Sequence, residues 1–142
     1  DFEIGEWELI SSGADVMIFA VGRMVQLAMQ ATIELTGKHI SAGVVDARFI
    51  KPMDRETLVR YARAAKLVVT VEENFVSGGF GEGVLEILAE EAVGVPVLTL
   101  GVPDRFVPHA TVEQQQESCG LSAQRIARRI QKRYVDLFRS GQ

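Results

Sequence analysis

Short apolar runs alternate along the chain with stretches whose apolar residues recur at helical spacing, and this alternation constrains the fold most strongly. The run from Val16 to Val21 is apolar at every position, which is typical of a strand buried on both faces of a parallel sheet. Apolar residues from Met24 to Leu35 follow at helical spacing, and Gly37 ends this predicted helix. Three later runs repeat the cycle and predict strands at residues 40–45, 67–71 and 95–100.

Single helices between successive strands predict parallel pairing with right-handed crossovers. The sequence therefore predicts an α/β fold, a three-layer α/β/α sandwich, in one domain that spans residues 1–142. Trp7–Ile10 alternates in polarity and predicts a further short strand, whose direction the pattern leaves open. Asp54 is the predicted N-cap of the helix that contains Leu58. Since ligands of such sheets bind at the carboxyl ends of the strands, the residues after each run form the candidate site.

The last part of the chain is predicted to be helical and basic. Thr111 and Gln114 fit a capping box, and Ser122 is the predicted N-cap of a separate amphipathic helix over residues 122–142. That segment holds six basic residues and one acidic residue, a net +5, whereas residues 1–121 hold nine and eighteen, a net −9. A basic helix can bind nucleic acid or an anionic membrane. Because its aromatic residues, Tyr134 and Phe138, repeat with Ile126 and Ile130 along the apolar face and do not form a stacking surface among the charges, we favour a solvated helix docked on an acidic body and predict neither partner.

Cysteine usage and the first residues of the chain indicate the setting. The single cysteine, Cys119, can form neither an internal disulfide nor a cysteine-rich metal site, which favours a cytoplasmic location. No apolar run approaches the ~20 residues that span a bilayer, and residues 1–5 do not resemble a signal peptide. Because the chain does not begin with Met, we expect it to be a fragment or a processed product of a longer protein.

Arg48 follows the second predicted strand and is the main candidate for ligand binding. A guanidinium is planar, permanently charged and able to bind a phosphate or carboxylate through two donors. The alternative is a structural ion pair with Asp46, Asp54 or Glu72, and the spacing leaves both interpretations open.

The other strand ends carry residues that we interpret as structural. Glu72 and Glu73 are adjacent in a strand, so they point to opposite faces and are not a catalytic pair. The glycines of residues 77–83 do not fit G-x-G-x-x-G, which favours tight packing over nucleotide binding. His109, in the loop after the last strand, is a weak candidate for a general base. No spacing of His, Cys or carboxylate residues predicts a hydrolase or metal site.

Four segments in order carry a resemblance to a known family: Arg48–Asp54, Val71–Asn74, Gly78–Gly81 and Gly101–Asp104. Together they resemble the third, C-terminal domain of the 1-deoxy-D-xylulose-5-phosphate synthases, which belong to the transketolase superfamily. The resemblance covers roughly residues 5–131. It implies a five-stranded, mostly parallel mixed sheet in which Trp7–Ile10 is the antiparallel strand.

The resemblance also implies a function for the whole enzyme. Pyruvate would be decarboxylated on thiamine diphosphate and joined to glyceraldehyde 3-phosphate, to supply isoprenoid and thiamine synthesis. The cofactor and Mg²⁺ would be bound by preceding domains of a homodimer, with no cofactor and no catalytic residue in this fragment. Arg48 would bind the acceptor's phosphate. Structural or interface roles would fall to six residues: Glu72, Glu73, Asn74, Gly78, Gly79 and Asp104.

Three other assignments remain open at this point. The chain could be the C-terminal domain of a 2-oxo-acid dehydrogenase β-subunit, the corresponding domain of a transketolase, or a non-catalytic module with the same fold.

Overall fold

In the computed structural model, residues 6–48, 52–73, 79–102 and 112–139 are described. These ranges contain five strands and four helices, in the order β1 (Glu8–Ser11), β2 (Val16–Ala20), α1 (Met24–Gly37), β3 (Ala42–Asp46), α2 (Arg55–Ala64), β4 (Leu67–Glu73), α3 (Phe80–Glu90), β5 (Val97–Val102) and α4 (Val112–Phe138).

The five strands form one mixed sheet in the order β1-β3-β2-β4-β5. Strand β2 pairs in parallel with both β3 and β4, and β4 pairs in parallel with β5. Strand β1 pairs antiparallel with β3, with Glu8 opposite Asp46. This confirms the predicted mixed, mostly parallel sheet and gives the first strand the antiparallel direction that the family resemblance implied.

Helices cover both faces of the sheet, which confirms the three-layer sandwich. Helices α1 and α4 pack on one face, in a core that includes Ile18 and Val69. Helices α2 and α3 pack on the other face, in a core that includes Phe19 and Val68. Every residue of β2 is at most 3% exposed, because the strand has a hydrogen-bonded neighbour on each side and a helical layer over each face.

The winding of the chain places a topological switch point at the centre of the sheet. From β2 the chain passes to β3 on one side, and it later returns to β4 on the other side of β2. The carboxyl ends of β2 and β4 therefore lie at the topological switch point, where ligands of open α/β sheets bind.

The terminal helix differs from its prediction. Helix α4 is continuous from Val112 to Phe138, so Ser122 lies inside it and is not the N-cap of a separate helix. Gly120 is also inside the helix, because an interior glycine costs only about 1 kcal/mol and does not end a helix by itself. The predicted cap Thr111 lies outside the described residues. The helix docks through an apolar stripe formed by Ala123, Ile126, Ala127, Ile130 and Tyr134. Just beyond its end, Arg139 donates a 2.9 Å hydrogen bond to the carbonyl of His39.

Asp54 is the N-cap of α2, as the sequence predicted. Its carboxylate accepts hydrogen bonds from the Thr57 amide at 3.1 Å and the Thr57 hydroxyl at 2.6 Å. It also accepts a 2.7 Å bond from the Trp7 amide, which attaches the chain before β1 to α2. Burial by itself would raise the pKa of Asp54, but these hydrogen bonds outweigh it, so the pKa lies below its ordinary value of 3.8.

We expect Asp54→Ala to lower the free energy of unfolding by about 1–2 kcal/mol, because the helix loses its cap. The control Glu56→Ala removes an 85% exposed carboxylate from the same turn and should change stability by less than about 0.5 kcal/mol.

Because the native pKa of Asp54 is lowered, the ionised carboxylate stabilises the fold. The difference in free energy of unfolding between the wild-type chain and Asp54→Ala should therefore be complete above about pH 4. It should disappear as the pH falls through the native pKa of Asp54. Urea unfolding of both chains at several pH values measures this difference. A difference that does not change with pH would show that it does not come from the ionised Asp54 carboxylate.

Candidate functional site at the carboxyl edge of the sheet

A bidentate ion pair closes the switch point between β2 and β4. Arg23 Nε donates to Glu73 Oε1 at 2.9 Å, and Arg23 Nη2 donates to Glu73 Oε2 at 2.7 Å. The Glu73 side chain is only 8% exposed, whereas the Arg23 side chain is 40% exposed. The guanidinium therefore compensates a nearly buried carboxylate and still presents surface at the rim.

Sequence reasoning did not single out Arg23 as a site residue. The sequence feature that could have identified Arg23 is its position, because Arg23 directly follows Gly22 at the end of the most apolar run. Gly22 has a φ of +61°, which lets the chain turn sharply out of β2 before α1 begins.

Glu72 points to the opposite face of the sheet from Glu73, as their adjacent positions in a strand predicted. Glu72 Oε2 accepts a 2.7 Å hydrogen bond from the amide of Gly81 in the first turn of α3. A Cβ added to Gly81 would lie 3.1 Å from Glu72 Oε2 and 3.0 Å from the hydroxyl of Thr70. Gly79, with a φ of +94°, is the residue before α3. The described part of the glycine-rich segment thus packs a helix closely against β4.

Arg48 lies just beyond β3 and contacts two acidic side chains of its own chain. Its Nη2 donates a hydrogen bond to Glu8 Oε1 on β1, and its Nε lies 3.9 Å from Asp46 Oδ2. Burial raises the pKa of Asp46 above 3.8, the charge of Arg48 opposes this rise, and the charge of Glu8 adds to it. The Arg48 guanidinium therefore faces two carboxylates, and the Arg48 side chain is 22% exposed.

The ion pair with Asp46 was one of the alternatives that the sequence left open for Arg48, whereas its partner Glu8 was not anticipated. Arg48 also lines a surface groove of about 380 Å³ between β1 and α2. The groove residues are Glu6, Trp7, Glu8, Leu9, Arg48, Thr57, Arg60 and Tyr61.

The candidate residues do not converge on a single point. Arg48 follows β3 and the two glutamates end β4, with β2 lying between those strands. Neighbouring strands are about 4.8 Å apart, so Arg48 and Glu73 belong to regions about 10 Å apart along the edge. Asn74, Gly78, Asp104 and His109 lie outside the described residues.

Neither a metal-ligand cluster nor a membrane span is found in the described ranges. Among these residues, no three His, Cys, Asp or Glu side chains are grouped as metal ligands. The described residues therefore offer no grouped ligands for Mg²⁺. Of the helices in the described ranges, none is long and apolar enough to cross a membrane.

The fold and this polar edge define a class of protein. The chain belongs to the transketolase C-terminal domain family, because the family described as "Transketolase, C-terminal domain" matches it over residues 5–126.

Within that class, the chain is similar to enzymes named 1-deoxy-D-xylulose-5-phosphate synthase. It is 42% identical over 137 residues to the enzyme of Heliobacterium modesticaldum, covering 96% of this chain and 21% of the relative. It is 46% identical over 124 residues to that of Syntrophotalea carbinolica, covering 87% of this chain and 20% of the relative. The chain thus spans about a fifth of the length of these relatives.

A solved structure described as "Split gene transketolase, inactive beta4 tetramer" has the same fold. It matches this chain with a TM-score of 0.75 and 41% identity, over 92% of this chain and 43% of the solved chain.

We expect Arg23→Met to lower the free energy of unfolding by about 1–2 kcal/mol, because it leaves the nearly buried Glu73 carboxylate without its bidentate partner. The control Arg60→Met removes a 64% exposed guanidinium from a surface pair with Glu56, and should cost less than about 0.5 kcal/mol. Urea unfolding of both variants measures the two losses in free energy of unfolding. Equal losses would show that the Arg23–Glu73 pair behaves as an ordinary surface pair.

Proposed function

We propose that this chain is the C-terminal domain of a 1-deoxy-D-xylulose-5-phosphate synthase. The observation that carries the proposal is the 42% identity to the Heliobacterium modesticaldum enzyme over 96% of this chain. The whole enzyme would join pyruvate, with loss of carbon dioxide, to glyceraldehyde 3-phosphate in the cytoplasm. Thiamine diphosphate with Mg²⁺ would supply the carbanion chemistry from the preceding domains, and two copies of the enzyme would form a homodimer.

In this proposal Arg48 binds the phosphate of glyceraldehyde 3-phosphate once the preceding domains cover the groove. Its position after β3 and its 22% exposed side chain support the role. Its contacts with Glu8 and Asp46 mean that phosphate binding is an exchange, in which the guanidinium trades carboxylate oxygens for phosphate oxygens. Arg48 would orient the acceptor, while the bond-making chemistry belongs to the cofactor.

Transketolase is the second candidate, and the solved neighbour named as a transketolase favours it. In that case the domain would have the same place in the enzyme, but the whole enzyme would be a transketolase.

A domain replacement tests the proposed function. We expect this chain to restore synthase activity when it replaces the matching 137 residues of the Heliobacterium modesticaldum enzyme. The isolated chain should show neither synthase activity nor a change in melting temperature with thiamine diphosphate and Mg²⁺. A hybrid that assembles at the native size and catalyses transketolase turnover but no synthase turnover would contradict the assignment.

Within the active hybrid, we expect Arg48→Ala to raise the KM for glyceraldehyde 3-phosphate by about 10–100-fold, the value of a lost charged hydrogen bond. The KM for pyruvate should change little. Glu8→Gln should leave the first KM unchanged or lower it, because a competitor for the guanidinium is removed. Arg60→Ala, in the same groove, is the control for loss of positive charge. Equal effects of Arg48→Ala on both KM values would leave Arg48 with a structural role only.

A further inference from the structure

Two carboxylates face each other across the pairing of β1 with β3. Glu8 is directly opposite Asp46 in this antiparallel pair. Opposite residues of such a pair point to the same face of the sheet, with Cα atoms about 4.5–5.5 Å apart, and like charges in these positions repel. The Arg48 guanidinium contacts both carboxylates. The charge of Arg48 therefore compensates a repulsion that the register of the two strands creates.

The two carboxylates differ in how easily each can reach water. The Glu8 side chain is 51% exposed and belongs to the edge strand β1, whereas the Asp46 side chain is 27% exposed and β3 is paired on both sides. Burial raises the pKa of Asp46, the charge of Arg48 lowers it, and the charge of Glu8 raises it. Because burial disfavours the charged form of a carboxyl group, Asp46 depends more on Arg48 than Glu8 does.

Binding of a phosphate to Arg48 would remove this compensation. One guanidinium against two carboxylates leaves one negative charge in excess, and a phosphate adds about two more. Covering of the groove by the preceding domains would lower the local dielectric and strengthen the repulsion. Glu8 can turn towards water from the edge strand, whereas Asp46 is held between two strands. A proton on Asp46 therefore relieves the repulsion at its more buried position.

We infer that Asp46 takes up a proton when the phosphate of the acceptor binds Arg48. Protonation releases the guanidinium from one of its two charged partners. It also gives the Asp46 carboxyl an O–H donor, which suits a neighbouring phosphate oxygen. Asp46 is thus a positioning residue that acts through Arg48, and the inference rests on the phosphate-binding role that the proposed function gives to Arg48.

The proton uptake couples the affinity for the acceptor to pH. Because the bound state holds one more proton than the free state, binding becomes tighter as the pH falls through the pKa that Asp46 has with phosphate bound. The gain is complete once Asp46 is protonated in the free enzyme as well. Between these two pKa values, the affinity changes by up to about tenfold per pH unit.

Other titratable groups near Arg48 belong to α2 and to the segment before β1. Glu6, Arg60 and Tyr61 line the same groove, and on the β2 side Asp46 is paired with the uncharged Ala20. Among the described residues, the charges that shift the pKa of Asp46 are those of Arg48 and Glu8. The phosphate of the acceptor itself titrates at about pH 6. This contribution is common to all variants, so it cancels when the KM values of two variants are compared at one pH.

Steady-state kinetics of the hybrid enzyme from about pH 5 to about pH 8 tests the inference. Asp46→Asn keeps the shape of the side chain but cannot take up a proton. We expect the KM for glyceraldehyde 3-phosphate of the wild-type hybrid, divided by that of Asp46→Asn, to rise about threefold or more from the lowest to the highest pH. The same ratio for the KM of pyruvate should stay constant.

Two further variants show where the proton is bound. Asp136→Asn removes a 55% exposed carboxylate that pairs with Lys132 on α4, and it should follow the wild-type hybrid at every pH. Glu8→Gln removes the like charge opposite Asp46, so the pH dependence should persist but move to lower pH. Melting temperatures check that each variant is folded.

Isothermal titration calorimetry in two buffers of different ionisation enthalpy measures the proton uptake directly. Glyceraldehyde 3-phosphate is titrated into the hybrid without pyruvate, so the measurement requires binding but no turnover. We expect the wild-type hybrid to take up as much as about one proton more than Asp46→Asn at a pH between the two pKa values of Asp46.

The coupling and the proposed function fail in different ways. A KM ratio that does not change with pH, or equal proton uptake by the wild-type hybrid and Asp46→Asn, would overturn the coupling even where Arg48→Ala raises the KM for the acceptor. Loss of the pH dependence in Glu8→Gln but not in Asp46→Asn would also overturn it, because the proton would then be on Glu8. If Arg48→Ala leaves the acceptor KM unchanged, the phosphate-binding role itself fails, and the coupling fails with it.

Discussion

The structure depends on one constraint: β2 is hydrogen-bonded on both edges and covered on both faces. Its five residues, Val16–Ala20, are all apolar and almost completely buried. Because parallel neighbours lie on each side, their connections must cross over the sheet as helices, and the chain must reverse its winding direction beside β2. That reversal creates the switch point, so the buried strand determines where the polar residues of the carboxyl edge are presented.

At this edge, the charged side chains are arranged by the pleat of the sheet. Glu73 is directed towards the α1 face and meets Arg23, while Glu72 is directed towards α3 and meets the amide of Gly81. Arg48 likewise contacts acidic side chains of neighbouring strands, Glu8 on β1 and Asp46 on β3. The described arginines of the edge thus already have carboxylate partners, so an incoming phosphate must compete with them. Such competition makes binding sensitive to the closure of neighbouring domains, which lowers the local dielectric and strengthens every charged contact.

Features encoded by local sequence could be predicted, whereas contacts between distant residues could not. The burial of β2 and the Asp54 cap follow from residues that are neighbours in the chain. The Arg23–Glu73 pair joins residues fifty positions apart, and the Arg48–Glu8 contact requires the direction of β1, which its short pattern leaves open. The false helix start at Ser122 has a physical reason, because serine favours an N-cap but is also tolerated inside a helix that is anchored by its apolar stripe.

The central claim is that the guanidinium of Arg48 exchanges its own carboxylates for a substrate phosphate at the end of β3. A crystal structure of the hybrid enzyme with glyceraldehyde 3-phosphate bound tests it most directly. The account predicts Arg48 nitrogens within about 2.7–2.9 Å of two phosphate oxygens, with the contact to Glu8 broken. A bound acceptor whose phosphate is held by other residues, while Arg48 still contacts Glu8 and Asp46, would contradict it.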